Sequence, residues 1–260
     1  ADTYMEMGRR YTNANQLETG LTYYNKSISY NPFEANYRDM MNTALFSLAF
    51  KTKDKVWLEQ IADSASRNLE LISQHYLGFY ALGNVCYLLA QDHGENTLDT
   101  AIEYYKKAIA SDPFQPDIYH HLAMAYGRNG MVKEGTEALE NALINRPGDI
   151  SLIDKLAQVY LQQNQMDKLQ ELFEYTESIT LPPSASLSNL RGVYLGKLGK
   201  NEEAFAEFTK AVEIDSTYPA TLGNIISLGI FLNKIDETIK HLNLALKLNP
   251  NNTEYRKNLG

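Results

Sequence analysis

Apolar positions in this chain follow a helical period nested inside a longer one. Between Pro113 and Pro147, which are 34 residues apart, Tyr119, Leu122, Ala123 and Tyr126 fall at i, i+3, i+4 and i+7, the spacing of one helix face. Leu139, Ala142 and Leu143 mark the face of a second helix, with polar residues on the sides away from these stripes. Gly130 stands between the two, where a left-handed C-terminal cap ends a helix at little cost. Ala123, Gly135 and Ala142 are small enough for close helix approach, Pro116 suits a first turn, and Pro147 ends the pair. Two such helices cannot bury their apolar stripes alone, so the pattern predicts a stack of hairpins.

The same spacing recurs along the chain. It divides residues 1–260 into repeats at about 1–34, 35–73, 74–113, 114–147, 148–182, 183–216 and 217–250, with a partial repeat at 251–260. The expectation is one all-α solenoid of about seven helix-turn-helix repeats plus a partial terminal helix. Two repeats are long. In the second, the stretch from Lys51 to Lys55 reads as a solvated turn, and in the third the connection from Gln91 to Thr100 reads as an extended loop on one edge. The fifth closes on Pro182-Pro183, which stiffens its junction with the sixth. Tyr255 and Leu259 are expected to cover the last second helix.

Charge narrows the partner class. The chain carries 32 acidic and 24 basic side chains, an excess shared between the stretch up to Gly130 (15 against 11) and the remainder (17 against 13). An acidic chain without a basic face argues against nucleic acid. No apolar run approaches the roughly 18 residues a membrane helix needs, so direct membrane insertion by this segment is not expected. The single cysteine, Cys86, excludes an internal disulfide and is read as a small core residue. The chain opens at Ala1 already in repeat register and stops within a helix pattern, so it is read as a segment of a longer protein.

At these residues the chain resembles the tetratricopeptide repeat (TPR) family over essentially its whole length. The resemblance implies an α-α superhelix whose first helices line a concave groove, where extended peptides or partner helices lie. Carrying the family's groove offsets over repeat by repeat gives Arg9, Asn13, Arg38, Asn42, Tyr80, Asn84, Tyr87, His120, Met124, Arg128, Asp154 and Gln158. In the sixth and seventh repeats the same offsets give Ser188, Gly192, Gly196, Gly223 and Ser227, a nearly bare surface open to a helix or to a second copy of the array. A protein or peptide partner is therefore expected, with self-association into a homo-oligomer as the alternative. Arg38 and Asn42 imitate the first pair of the family's carboxylate clamp. Ala81, Asp117 and His121 depart from the rest of that clamp, and an aspartate there would repel a carboxylate.

A narrower resemblance rests on NPFEANYRDMM, LAFKTKDKVWLEQIADSASRNLELI and YALGNVCYLLAQDHGENTLDTAIEYYKKAIASDP. These phrases look like the TPR tails of bacterial O-antigen polymerase/ligase-type membrane proteins, which carry similarly lengthened second and third repeats. The resemblance implies a soluble bacterial segment on the cytoplasmic side, tethered to the inner membrane through upstream residues, or else a free-standing adaptor.

Chemistry has little support. Asp117, His120 and His121 form the one cluster resembling a metal or acid/base constellation, and zinc asks for three or four ligands. Phosphate-loop, nucleophile-elbow and His-Glu-x-x-His patterns are absent from the sequence. Neither catalysis nor a cofactor is expected.

Overall fold

The computed structural model describes residues 1–248 and Pro250. The proposed cover by Tyr255 and Leu259, like the partial repeat at 251–260, lies outside the described residues. Those residues form fourteen α-helices, two for each of the seven repeats. They divide into two compact bodies, one from Ala1 to Asn145 and one from Arg146 onward.

The N-terminal body contains α1 (Asp2–Asn13), α2 (Leu17–Tyr30), α3 (Ala35–Thr52), α4 (Lys55–Leu71), α5 (Tyr76–His93), α6 (Leu98–Ser111), α7 (Pro116–Arg128) and α8 (Val132–Asn145). The odd-numbered helices pack on the even-numbered helices that follow them. In addition α2 meets α3, α4 meets α5 and α6 meets α7, while α1, α3, α5 and α7 touch in sequence. The first helices thus form one layer and the second helices another. The C-terminal body contains α9 (Ile150–Gln162), α10 (Met166–Ser178), α11 (Ala185–Lys197), α12 (Asn201–Ile214), α13 (Pro219–Phe231) and α14 (Ile235–Leu248), again in hairpins, with α9, α11 and α13 in one layer.

The repeat register is written in the turns. Asn15, Gly130, Asn164, Gly199 and Asn233 all have positive φ, between 54° and 77°, and each sits two residues beyond its first helix. In each case the following N–H reaches back to close the helix end: Gln16 to Tyr11, Met131 to Tyr126, Gln165 to Tyr160, Lys200 to Leu195 and Lys234 to Gly229, at 2.8–3.0 Å. This six-to-one bond satisfies a carbonyl that the last helical turn leaves open.

The two long repeats spend their extra residues on helix. α3, α4 and α5 have 18, 17 and 18 residues, whereas α7, α9, α11 and α13 have 13 each. Of the expected lysine-rich turn, Lys51 and Thr52 complete α3 and Lys55 begins α4. Only Lys53, with φ 57°, and Asp54, whose carboxylate caps Val56 N at 3.0 Å, remain between them. The expected loop from Gln91 to Thr100 likewise shrinks, because α5 continues to His93 and α6 starts at Leu98. Residues 86–93 contain no glycine or proline, and the apolar stripe runs on through them until Gly94 caps the helix at φ 70°. The lengthened ends are joined by ion pairs from Lys53 to Asp92 at 2.8 Å and from Lys55 to Glu95 at 2.7 Å.

Within several hairpins the helices meet through a small residue on the first and a ring on the second. A methyl group added at Gly8, Gly83 or Gly192 would lie 2.5–2.7 Å from the ring of Tyr24, Tyr105 or Phe208, respectively. The fourth repeat solves the same position with Ala123 and Leu139. Gly192, assigned by family offsets to a bare groove, therefore seats Phe208 instead.

Candidate functional site

Three first helices of the N-terminal body enclose a groove of about 670 Å³, within the size range of ligand sites. From α3 come Asp39, Asn42, Thr43, Phe46, Ser47 and Phe50, spaced so that one helix face is presented along its length. From α5 come Leu77, Tyr80, Ala81, Asn84, Tyr87, Leu88 and Gln91, and α7 adds His121 and Met124. The lengthening of α3 and α5 carries this wall out to Phe50 and Gln91. Phe50 is 57 % exposed and Met124 38 %.

Polar groups in the groove are mostly paired. Thr43 and Ser47 donate to the carbonyls of Asp39 and Thr43, at 3.2 and 3.1 Å. Tyr105, fully buried beneath the groove, donates its hydroxyl to Asn84 Oδ1 at 2.8 Å. Burial pushes the pKa of both Tyr105 and Tyr80 up. Tyr80 stands edge-on to His121, with its hydroxyl 3.1 Å from Nδ1, and that nitrogen donates to the Asp117 carbonyl at 2.8 Å. At the far end the Arg128 guanidinium lies 5.5 Å over the Tyr87 ring and donates to Gln91 Oε1 at 2.9 Å.

Asn42 is the exception. It is 4 % exposed, and neither its amide nitrogen nor its amide oxygen has a hydrogen-bond partner. Leaving such a group unsatisfied costs roughly 1–3 kcal/mol. One turn earlier is Asp39, the one carboxylate among the side chains lining the groove, where neither lysine nor arginine is found. Its carboxylate is held by groups without formal charge. Asn68 Nδ2 donates to Oδ1 at 2.9 Å, and His75 Nε2 lies 3.2 Å from Oδ2. His75 accepts the Gly78 N–H on Nδ1 at 3.1 Å as the N-cap of α5, which leaves the proton of the neutral ring on Nε2, facing Asp39.

Among the residues expected from family offsets, Asn42, Tyr80, Asn84, Tyr87 and Met124 line this groove, and Arg128 borders it through Tyr87 and Gln91. Arg38 lies buried on α3 with Nη2 donating to the Pro32 carbonyl at 2.7 Å; burial lowers its pKa. His120 is half-buried and edge-on to His121, which takes the lining position. Arg9 sits on α1 in an ion pair with Glu6 at 2.9 Å, and Asn13 is exposed at the end of that helix. Asp154 and Gln158 are on α9 in the C-terminal body, where burial raises the Asp154 pKa against a hydrogen bond to Ser186. Asp39, Phe46, Phe50, Leu77 and Gln91 were not among the offsets. For Asp39, Phe46 and Phe50 the signal was the stripe Asp39, Thr43, Phe46, Phe50 on α3, which is longer than the first helices of the later repeats.

Cys86 is half-buried on α5, and burial pushes its thiol up. Among the described residues no group of three or more His, Cys, Asp or Glu side chains is placed to hold a metal ion, the Asp117–His121 region included. No helix among them is long and apolar enough to cross a membrane.

Family models described as TPR repeat and tetratricopeptide repeat match residues 94–130 and 185–218. Within those two stretches the chain is similar to tetratricopeptide repeats. The TPR repeat-containing protein MJ1428 of Methanocaldococcus jannaschii is 27 % identical over 177 residues, 64 % of this chain and 30 % of that protein. The chain thus spans less than a third of that curated relative's length. Among solved structures, the C-terminal part of a TPR repeat-containing protein from Cytophaga hutchinsonii aligns with TM-score 0.65 and 14 % identity, covering 98 % of this chain and 99 % of that one. A thermophilic TPR protein of Thermus thermophilus gives 0.55 and 14 %, covering 88 % and 98 %. A chain of the APC/C hetero-tetramer Cut9–Hcn1 gives 0.56 and 17 %, covering 94 % of this chain and 45 % of that one. At these identities the likeness speaks for the fold: an all-α TPR-type repeat scaffold.

Proposed function

We propose that this segment is a protein-interaction scaffold, and that its N-terminal body takes a peptide or partner segment in the groove between α3, α5 and α7. The observation that carries the reading is the open, largely apolar groove itself, with Phe50 and Met124 exposed on its walls. Binding of this kind requires no catalytic group. The test is an array of immobilised random peptides probed with the labelled protein. Phe50→Lys and Met124→Lys, both at exposed positions, should abolish the bound set while circular dichroism stays unchanged. A bound set that survives both substitutions removes the groove.

The finer reading, a tail of an O-antigen polymerase/ligase-like membrane protein, rests on the sequence resemblance. The lengthened α3, α4 and α5 favour it because such tails share long second and third repeats. Reading the gene upstream of Ala1 tests it: several membrane-spanning runs support the tail, and a wholly soluble upstream region overturns it. Self-association is the competing role, favoured by Ile230 and Phe231, which stand exposed at the end of α13. Light scattering over a concentration series tests that role, and a monomer throughout removes it.

A further inference from the structure

Asn129 and Gly130 make the one Asn-Gly step in the sequence, and they follow directly on α7. Glycine at 130 suits its φ of 77°. Asparagine at 129 is not demanded by the turn. Ala14, Gln163, Leu198 and Leu232 hold the same place in the sibling turns, with φ between −83° and −81° and ψ between 0° and 11°. Asn129 has the same backbone, at φ −81° and ψ 6°. Its side chain acts across the junction of the third and fourth repeats instead. Nδ2 donates to Asp99 Oδ1 on α6 at 2.7 Å and lies 3.8 Å from Met131 Sδ. We propose that Asn129 is a spontaneous modification site, converted to aspartate and isoaspartate, which the fold holds closed through Asp99 and whose product unlocks the turn between α7 and α8.

The chemistry needs only water. The Gly130 nitrogen attacks Asn129 Cγ; an N–C bond forms, the Cγ–Nδ2 bond breaks, and ammonia leaves with the proton of the Gly130 N–H. Water then opens the cyclic imide at either carbonyl, which gives aspartate or isoaspartate. Glycine after the asparagine leaves this approach sterically open, and Gly130 is exposed to solvent. The folded turn prevents it. A five-membered ring needs Cβ of Asn129 and the Gly130 nitrogen on the same side of the Cα–C bond, whereas ψ of 6° turns that nitrogen beside the Asn129 nitrogen. There the Gly130 N–H donates to Gly127 O at 3.2 Å and the next one, from Met131, to Tyr126 O at 2.8 Å. Rotating ψ breaks both bonds, and bringing Cγ round pulls the amide off Asp99. The reaction therefore runs only from an opened turn.

Both products keep the turn from closing properly. Aspartate at 129 sets a carboxylate against that of Asp99, where an N–H now donates, and the like charges repel. Isoaspartate carries the main chain through Cβ and Cγ, which adds one methylene and puts the Met131-to-Tyr126 bond out of register. The neighbouring Arg128, which holds Gln91 of α5, lies on the same last turn of α7.

The test incubates the whole chain at mildly alkaline pH, with and without urea, and follows Asn129 by peptide mass mapping and isoaspartyl methyltransferase labelling. Conversion in urea should be at least about tenfold faster than in buffer. Asp99→Ala should speed conversion in buffer by about fivefold or more, and Asp99→Asn, which keeps an Oδ1 acceptor, should stay near the parent rate. Asn129→Asp should lower the urea midpoint, and adding Asp99→Asn should restore it, because the amide and the carboxylate then exchange places. This exchange decides the part of Asp99 if Asp99→Ala fails to fold. Absence of conversion in urea overturns the site, and equal rates in urea and buffer overturn its closure by the fold. A folded Asp99→Ala at the parent rate, or a double variant no better than Asn129→Asp, overturns the role of Asp99. An unchanged midpoint in both Asn129→Asp and the purified isoaspartate chain overturns the unlocking.

Discussion

Replacing Gly83 with alanine should destabilise the N-terminal body, although alanine is the better helix former. The added methyl would sit 2.6, 2.7 and 3.2 Å from Tyr105 Cε1, Cδ1 and Cζ, where ordinary contact is 3.4–4 Å. The ring must retreat by roughly 1 Å. It has little room to do so. Tyr105 is fully buried, its ring centroid is 6.1 Å from those of Tyr80 and His121, and its hydroxyl is held by Asn84. Overpacking a closed core costs about 1–3 kcal/mol, and pulling the hydroxyl off Asn84 adds about 1 kcal/mol. The gain in helix propensity offsets about 1 kcal/mol, which leaves a net loss of about 1–3 kcal/mol. Gly127 and Gly196 are the controls, since each is helical and nothing lies within 4 Å of an added methyl. Alanine there should stabilise by up to about 0.5–1 kcal/mol. Urea titrations followed by circular dichroism should give opposite signs. The double variant Gly83→Ala/Tyr105→Leu, which copies Ala123 and Leu139, should recover part of the loss. If Gly83→Ala proves as stable as Gly127→Ala, the small-residue-to-ring account of the hairpins is wrong.

Asn164→Gly should raise the melting temperature, because φ is 54° there and a side chain in the left-handed region costs up to about 1 kcal/mol that glycine avoids. Asn68→Leu should lose about 1–3 kcal/mol in chemical unfolding, since this fully buried amide donates to Ala35 O at 3.1 Å and to Asp39 Oδ1, and both acceptors would be stranded. His241 links the stability of the C-terminal body to pH. Burial lowers its pKa from 6.5, so the unfolded chain binds the proton more readily. Its contribution is complete above 6.5 and is lost as pH falls below that value. His241→Gln should therefore show a shallower drop in stability on acidification than the parent, measured by denaturant midpoints across that range.

How much was legible in the sequence depends on whether a residue's meaning is local. Helix faces repeat every few residues, so the hairpins and their turns at Gly130 and Gly199 could be read directly. Asn15, Asn164 and Asn233 occupy the same left-handed turn position, but asparagine also serves as an ordinary polar residue, and only the register singles it out. The stretch around Lys53 read as a loop because it is polar. A helix needs only one apolar face, however, and lysine favours helix well enough to extend α3 and α4 through it. Family offsets reached Asn42, Tyr80 and Asn84 but missed Phe46 and Phe50, which look like core positions until the longer α3 leaves them in the groove wall. The assembly of Asp39, Asn68 and His75 joins three different helix regions, and no spacing rule announces it.

The pairing of a small residue with a ring also limits how such a chain can be rearranged by recombination. A crossover inside a hairpin that joined the first helix of the fourth repeat to the second helix of the third would set Ala123 against Tyr105, while the reciprocal product would leave Gly83 facing Leu139 across a void. Crossovers at Asn31-Pro32, Asp112-Pro113 or Arg146-Pro147 move each matched pair as one piece. The heritable module in this chain is accordingly the whole hairpin, cut at its prolines, and single helices are not exchangeable parts.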